Sequence, residues 1–377
     1  MKTGQLAGAV ILSIVFGSLH AFSVLALPLQ HAFAASRAGV SLGYALALSA
    51  LTVAVYLAPA IMRRLTPAGV AIACAALAAT GLLIAGSALG LISFLAGFGA
   101  IFGFANGVAY SLFLDRAAAA LAGQKGLAIG LVTATYGGGA AVFAPILDAA
   151  TAVSSVFMAL MMLGLVVFLG GLVASWLFRG SRFAIADRGM PAETPRRWML
   201  VMWAVYFCGV FGGLMLLAHA APLLEWQFAG TSLTSLAVML VALGNIAGSV
   251  GGGYWGQISS PRHALALPIV IGIFATVLLL VSNDRVLSLA ALAAAGLSYG
   301  ALIAAIPVVV VTSVGASGFA HAFGRIFSAW GLAGLAGPPL AGVLFDYSAA
   351  YDSALLVALS MSCAGLVLTL FVPHRHG

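Results

Sequence analysis

Charge is the scarcest feature of this 377-residue sequence. Asp, Glu, Lys and Arg together make up 6% of it, against about 25% in an ordinary soluble domain. Fifteen basic and eight acidic side chains cannot cover the surface of a folded 38.0 kDa chain in water, which excludes a soluble cytosolic enzyme. Cysteine is also rare. Cys74, Cys208 and Cys363 lie in apolar runs without a CxxC pair or zinc spacing, so they read as small core hydrophobes, not disulfides or metal ligands. Proline numbers 13, and the 46 glycines follow no G-x-y period; collagen and disordered linkers are excluded. Catalytic patterns are missing too: there is no HExxH, no carboxylate pair inside an apolar run, and no Ser/His/Asp set supported by position. The runs Gly137-Gly138-Gly139 and Gly251-Gly252-Gly253 are followed by no Lys or Ser/Thr at Walker spacing, so they are not phosphate loops. No cofactor is implied.

What the sequence has is apolar length. Hydrophobic residues make up 63% and the mean hydropathy is +1.18, the signature of an integral membrane protein. A helix needs roughly 20 apolar residues to cross a bilayer. Twelve such spans are predicted, near 6–29, 39–62, 66–87, 90–114, 126–147, 152–178, 198–221, 231–257, 264–281, 286–312, 320–345 and 350–372. With a cytoplasmic N-terminus, the inside breaks and ends hold Lys2, Arg63, Arg64, Arg116, Lys125, Arg179, Arg182, Arg188, Arg196, Arg197, Arg262, Arg325 and Arg375, thirteen of the fifteen cations. Only Arg37 and Arg285 fall outside, while Asp148, Glu225, Asp284, Asp346 and Asp352 fall there as well. The positive-inside rule therefore places both termini in the cytoplasm. It also explains the net charge of +7 without nucleic acid. Lys2 before an apolar run resembles a signal peptide, but the run from Gln5 to Leu29 is too long for one. A retained first span is expected.

The longest charged break, Arg179 to Arg197, carries five Arg and two Pro and reads as a cytoplasmic linker. It divides the chain into a six-span half over 1–178 and another over 198–377. A repeat joins them at an offset of 194 residues: Gly130-x5-Tyr136-Gly137-x7-Pro145 answers Gly324-x5-Trp330-Gly331-x7-Pro339. Two halves with matching Gly-rich, Pro-bearing helices are the trace of a duplicated transporter bundle.

These residues carry a resemblance. Phe323-Gly324-Arg325-Ile326-Phe327-Ser328-Ala329-Trp330-Gly331, continuing to Gly337-Pro338, is similar to the eleventh-helix pattern of the oxalate–formate antiporter and monocarboxylate transporter branch of the major facilitator superfamily. Lys125-Gly126-Leu127-Ala128-Ile129-Gly130 resembles its start of helix five, and Phe22-Ser23-Val24 with Pro28-Leu29 and Ser36 its first helix. The resemblance implies an all-α membrane protein of twelve helices in two pseudo-symmetric halves. It implies alternating access and a cavity lined by helices one, two, four, five, seven, eight, ten and eleven. Two departures bear on function. Arg63 stands where the superfamily's G-x-x-x-D-R loop has its acid. Ser249 and Trp330 stand where the oxalate–formate relatives carry the Arg and Lys that grip a dicarboxylate.

Attention then falls on polar groups at membrane depth, which are costly and mark functional sites by default. His20 is a candidate for substrate binding and for carrying a coupling proton. His219, near the outer end of helix seven, is a second proton-coupling candidate. Asn106, Tyr136, Asn245, Ser249, Tyr299 and Trp330 are candidates for the wall of the cavity; rings with a single donor suit a small, partly apolar solute. His31, His263, His374 and His376 lie in loops or ends, and His321 and Arg325 lie at the inner mouth of helix eleven. The alternative is copper import. Met215 and His219 are spaced i, i+4, as are Met158 and Met162, and thioether and imidazole suit Cu(I). The expectation is a monomeric secondary transporter of a bacterial-type inner membrane. It moves a small organic acid with protons or by exchange.

Overall fold

The computed structural model describes residues 2–121, 125–183, 195–229 and 233–372; within it, the side chains of 2, 125–129, 316–317 and 319–321 are also left undescribed. Part of the linker, His374, Arg375 and His376 therefore lie outside the described residues, as do the side chains of Lys125 and His321.

Twelve helices long and apolar enough to cross a membrane follow in order. They are α1 (Thr3–Phe33), α2 (Arg37–Met62), α3 (Pro67–Gly86), α4 (Leu91–Ala120), α5 (Gly130–Val153), α6 (Val156–Leu177), α7 (Arg196–Gln227), α8 (Thr234–Ile258), α9 (Pro261–Val281), α10 (Arg285–Gly315), α11 (Ala322–Ser348) and α12 (Asp352–Thr369). No strand occurs among the described residues. Most ends fall within four residues of the sequence expectation. α4, α5 and α7 run further, to Ala120, Val153 and Gln227. α4 continues on Ala117–Ala120, strong helix formers, and α5 and α7 pass through Pro145 and Pro222.

Local chemistry sets the starts. Ser36, Thr66, Ser155, Ser260 and Asp284 each accept the backbone N–H three residues on, satisfying an otherwise orphaned donor. Pro67 and Pro261 fill first-turn positions where no N–H is needed. Between α10 and α11 the turn is made at Gly315, φ 74 and ψ 171, a conformation open only to glycine.

Helices α3, α6, α9 and α12 turn wide apolar faces outward, with Leu83, Leu165, Leu169, Phe274 and Val367 about half exposed or more. In water these faces would be unstable; in lipid they are the ordinary surface. α1 is the most interior helix, 78% buried over its most apolar stretch, so it is part of the core. α1–α6 meet α7–α12 along three seams: α2 against α11, α5 against α8, and α1 against α7. Two helices change pitch on the way. α1 tightens to 3₁₀ over Gly17–Ala21, and α4 loosens to a π-helix over Leu95–Phe102. Such breaks recur at functional positions, and the first one carries His20.

Candidate functional site

Near mid-depth the seams enclose two small chambers that share His20, Gly137 and Asn245. The larger, about 40 Å3, is walled by those three with Leu51, Tyr110, Thr133, Tyr136, Tyr206, Tyr299, Ile303, Phe327 and Trp330. The smaller, about 10 Å3, is walled otherwise by alanine, valine and leucine, with room for about one water. Eight helices contribute, four from each side of the chain's midpoint. Among the described residues, no Asp, Glu, Lys or Arg lines either chamber.

The 3₁₀ turn presents His20 to this space. Its Nδ1 lies 2.8 Å from the Tyr44 hydroxyl of α2, and its ring packs edge-on against Tyr136 at 5.1 Å. Among the described residues its Nε2 has no protein partner. Trp330 donates its indole N–H to the Tyr299 hydroxyl at 2.9 Å and stacks on Phe327. That leaves the Tyr299 proton available to a solute. The Tyr206 hydroxyl has no hydrogen-bond partner among the described residues.

The repeat read from the sequence reappears as equivalent positions. Tyr136 and Trp330 both line the larger chamber. A Cβ on Gly137 would strike the Asn245 amide, and one on Gly331 would strike Thr52. These glycines set the α5–α8 and α11–α2 seams. Their partners Gly130 and Gly324 both face open space.

The structure brings His20, Tyr136, Asn245, Tyr299 and Trp330 together and leaves the other candidates off the wall. Asn106 stands behind Tyr136: its Oδ1 accepts the Tyr136 hydroxyl at 2.7 Å, and its Nδ2 donates to the Phe16 carbonyl at 2.8 Å. Both amide functions are thus spent on positioning. Ser249 lies one turn below Asn245 and reaches only the Asn245 Oδ1 and the Gly300 carbonyl, each at 3.4 Å. His219 does not line the chambers. It is buried, donates from Nε2 to the Pro338 carbonyl at 2.9 Å, has the Ser41 hydroxyl 3.1 Å from the same nitrogen, and accepts from the Tyr351 hydroxyl at Nδ1. With both ring nitrogens engaged, it has none left for a metal. Met215 is packed against Gly337, and Met158 and Met162 are half exposed on the outer face of α6. Among the described residues no group of three His, Cys, Asp or Glu could hold a metal ion.

Tyr110, Thr133, Tyr206, Leu51 and Ile303 were not singled out by sequence reading, and Phe327 only as part of the helix-eleven motif. Helical register would have found several. Tyr110 follows Asn106 by four residues, Ile303 follows Tyr299 by four, and Thr133 precedes Tyr136 by three.

The chambers are closed toward the face opposite the arginine-rich breaks. There Asp346 at the end of α11 accepts the backbone N–H groups of Arg37 and Ala38, both at 2.9 Å, and so caps α2. Arg37 lies over the Phe345 ring at 3.7 Å and donates to Gln30 and the Tyr351 hydroxyl. Burial pushes the Tyr351 hydroxyl's pKa up, with Arg37 pulling the other way, so it stays protonated and able to donate to His219. Ser23 accepts from the Ala221 N–H, and Thr234 reaches Asp148. Among the described residues, every hydrogen bond joining α1–α6 to α7–α12 lies on this side.

The same fold occurs in solved transporters. The chain superposes on a bacterial homologue of the human lysosomal transporter Spinster in an inward-facing, occupied conformation (TM-score 0.72, 15% identity, 98% of this chain and 95% of that one). It also superposes on the nucleoside transporter NupG (TM-score 0.73, 14% identity, 98% of each) and on the major facilitator superfamily transporter FucP in its outward conformation (0.65, 13%, 98% and 99%). No family model matches the chain. These likenesses define the fold as that of the major facilitator superfamily structures, carried by twelve helices long and apolar enough to cross a membrane. In sequence the chain is similar to the oxalate:formate antiporter of Oxalobacter formigenes, 27% identical over 301 residues, spanning 75% of this chain and 68% of that one.

Proposed function

We propose that the chain moves a small organic acid across the inner membrane by alternating access, coupled to protons or by exchange. The halves over 1–178 and 198–377 rock about the chambers, as a monomer with both termini cytoplasmic. The observation that carries this reading is the mid-depth chamber, shut toward one face, with neutral donors and no fixed charge among the described residues. Its free donors include the Tyr299 and Tyr206 hydroxyls and the Asn245 amide, which suit the oxygens of a carboxylate. The apolar remainder (Leu51, Ile303 and Phe327) suits a short carbon chain. A buried anion without a counter-charge costs several kcal/mol. A solute that arrives with a proton avoids that cost, and exchange for another of equal charge avoids net movement of charge across the membrane. His20, with one nitrogen held by Tyr44 and the other facing the chamber, is the proposed proton carrier.

The similarity to an antiporter of oxalate and formate supports an organic anion. Ser249 and Trp330, where the resembled branch has cations, argue against gripping a dicarboxylate in the same way. Uptake into proteoliposomes under an imposed pH gradient tests the proposal, with a panel of monocarboxylates, oxalate and Cu(I). Accumulation of a monocarboxylate is expected, and each 100 mV supplies about 2.3 kcal/mol per charge moved. Uptake of copper and of no acid would sink the proposal.

A further inference from the structure

A further cavity lies away from the chambers, on the arginine-rich face. It is a groove of about 470 Å3 between the first two turns of α7 and the part of α11 around Arg325, lined by Arg196, Met199, Leu200, Trp203, Arg325 and Ile326. The transport reading makes no use of it. Arg196 opens α7 and Arg325 lies ten residues beyond the Gly315 turn, and the two side chains line the same groove. Both are exposed, and among the described residues neither has a carboxylate partner; the only ion pair there joins Arg116 to Asp115. The wall changes character with depth. At about 1.5 Å per residue, Leu200 lies roughly 6 Å and Trp203 roughly 10 Å further along α7 than Arg196. Leu200 is 58% exposed. Trp203 is fixed by donating to the Ser328 hydroxyl at 3.0 Å and by stacking on Phe207.

Two unpaired cations at the membrane surface, with a fixed indole and an exposed leucine directly below, match a ligand that has an anionic head and an apolar tail along the membrane normal. Basic pockets between spanning helices recognise lipid head groups in this way. We infer that the α7–α11 groove binds one anionic phospholipid: Arg196 and Arg325 hold its phosphate, and Met199, Leu200 and Trp203 line its acyl chain. A free phosphate would satisfy the arginines but leave the apolar wall unused.

Native mass spectrometry of the purified full chain, released from phosphatidylglycerol–phosphatidylcholine mixtures, tests this inference. The wild-type protein should retain one phosphatidylglycerol in preference to phosphatidylcholine. Arg196→Gln and Arg325→Gln should each weaken retention roughly fivefold, and the pair roughly twenty-five-fold, from the usual contribution of a basic residue at a lipid surface. Arg196→Lys with Arg325→Lys should keep most of it, which separates charge from folding, and melting in neutral detergent should be the same for all variants. Equal retention of the two lipids, or undiminished retention by the double Gln variant, would overturn the inference. So would complete displacement of the lipid by equimolar inorganic phosphate, which would make the groove a phosphate site.

Discussion

At the scale of single residues, the informative contrast is between side chains that face the chamber and side chains that hold those in place. His20 faces it, with Nδ1 on Tyr44. Replacing it with Gln should keep binding and exchange but abolish the response of uptake to an imposed pH gradient. An unchanged gradient response in proteoliposomes would remove His20 from coupling. Asn106 does not face the chamber, so Asn106→Ala should act on stability. It leaves the Tyr136 hydroxyl without its acceptor, a loss of about 1–3 kcal/mol, read as a lowered melting temperature. Asn245→Ala should do the reverse and raise the apparent KM more than it lowers stability. Asn106 and Asn245 look alike in the sequence, each a lone amide in an apolar helix. Their separation into positioning and lining residues depends on a neighbour, Tyr136, and not on anything local.

At the scale of elements, the glycines of α5 and α11 show how much of a helix–helix seam can be read from spacing. The 194-residue repeat pairs Gly137 with Gly331 and Gly130 with Gly324, and the structure gives each pair one environment. Gly137→Ala and Gly331→Ala should each cost about 1–3 kcal/mol by overpacking a seam, and should slow transport by holding the helices apart. Gly130→Ala and Gly324→Ala should be silent in both melting and uptake. Equal effects at all four positions would mean that the glycines act through backbone flexibility, not through close approach. The 3₁₀ stretch of α1 and the π-helical stretch of α4 were not legible. Both lie inside uniformly apolar runs, where hydropathy is blind to pitch, and α1 tightens where Gly17 meets the Tyr136 carbonyl and Gly139.

At the scale of the molecule, the bonds between α1–α6 and α7–α12 are gathered on the face that carries Asp346, Asp148 and Arg37. That arrangement favours a state closed on this side. Asp346→Ala removes a cap shared between α11 and α2, at about 1 kcal/mol, and should raise the population open on this side about fivefold. A cysteine at Leu217, in the wall of the smaller chamber, should then react faster with a membrane-impermeant thiol reagent added from that side. Unchanged reactivity would place the closing energy elsewhere. His219 belongs to this closure, since it joins Ser41 of α2 to Pro338 of α11 and to Tyr351.

Twelve spans, their bias of charge and the duplicated glycine–proline pattern followed from the sequence alone. Hydrophobic length, loop charge and close-packing residues are local properties that a bilayer reads one segment at a time. Five of the candidate wall residues followed as well, because polar groups in apolar helices are few. The tertiary structure alone decided that Asn106, Ser249 and His219 spend their hydrogen bonds on other helices, that Tyr206 and Tyr110 complete the wall, and that one face is tied shut. Each of these depends on which helix lies opposite, and contacts between residues 100 to 300 positions apart leave no periodic trace in either partner.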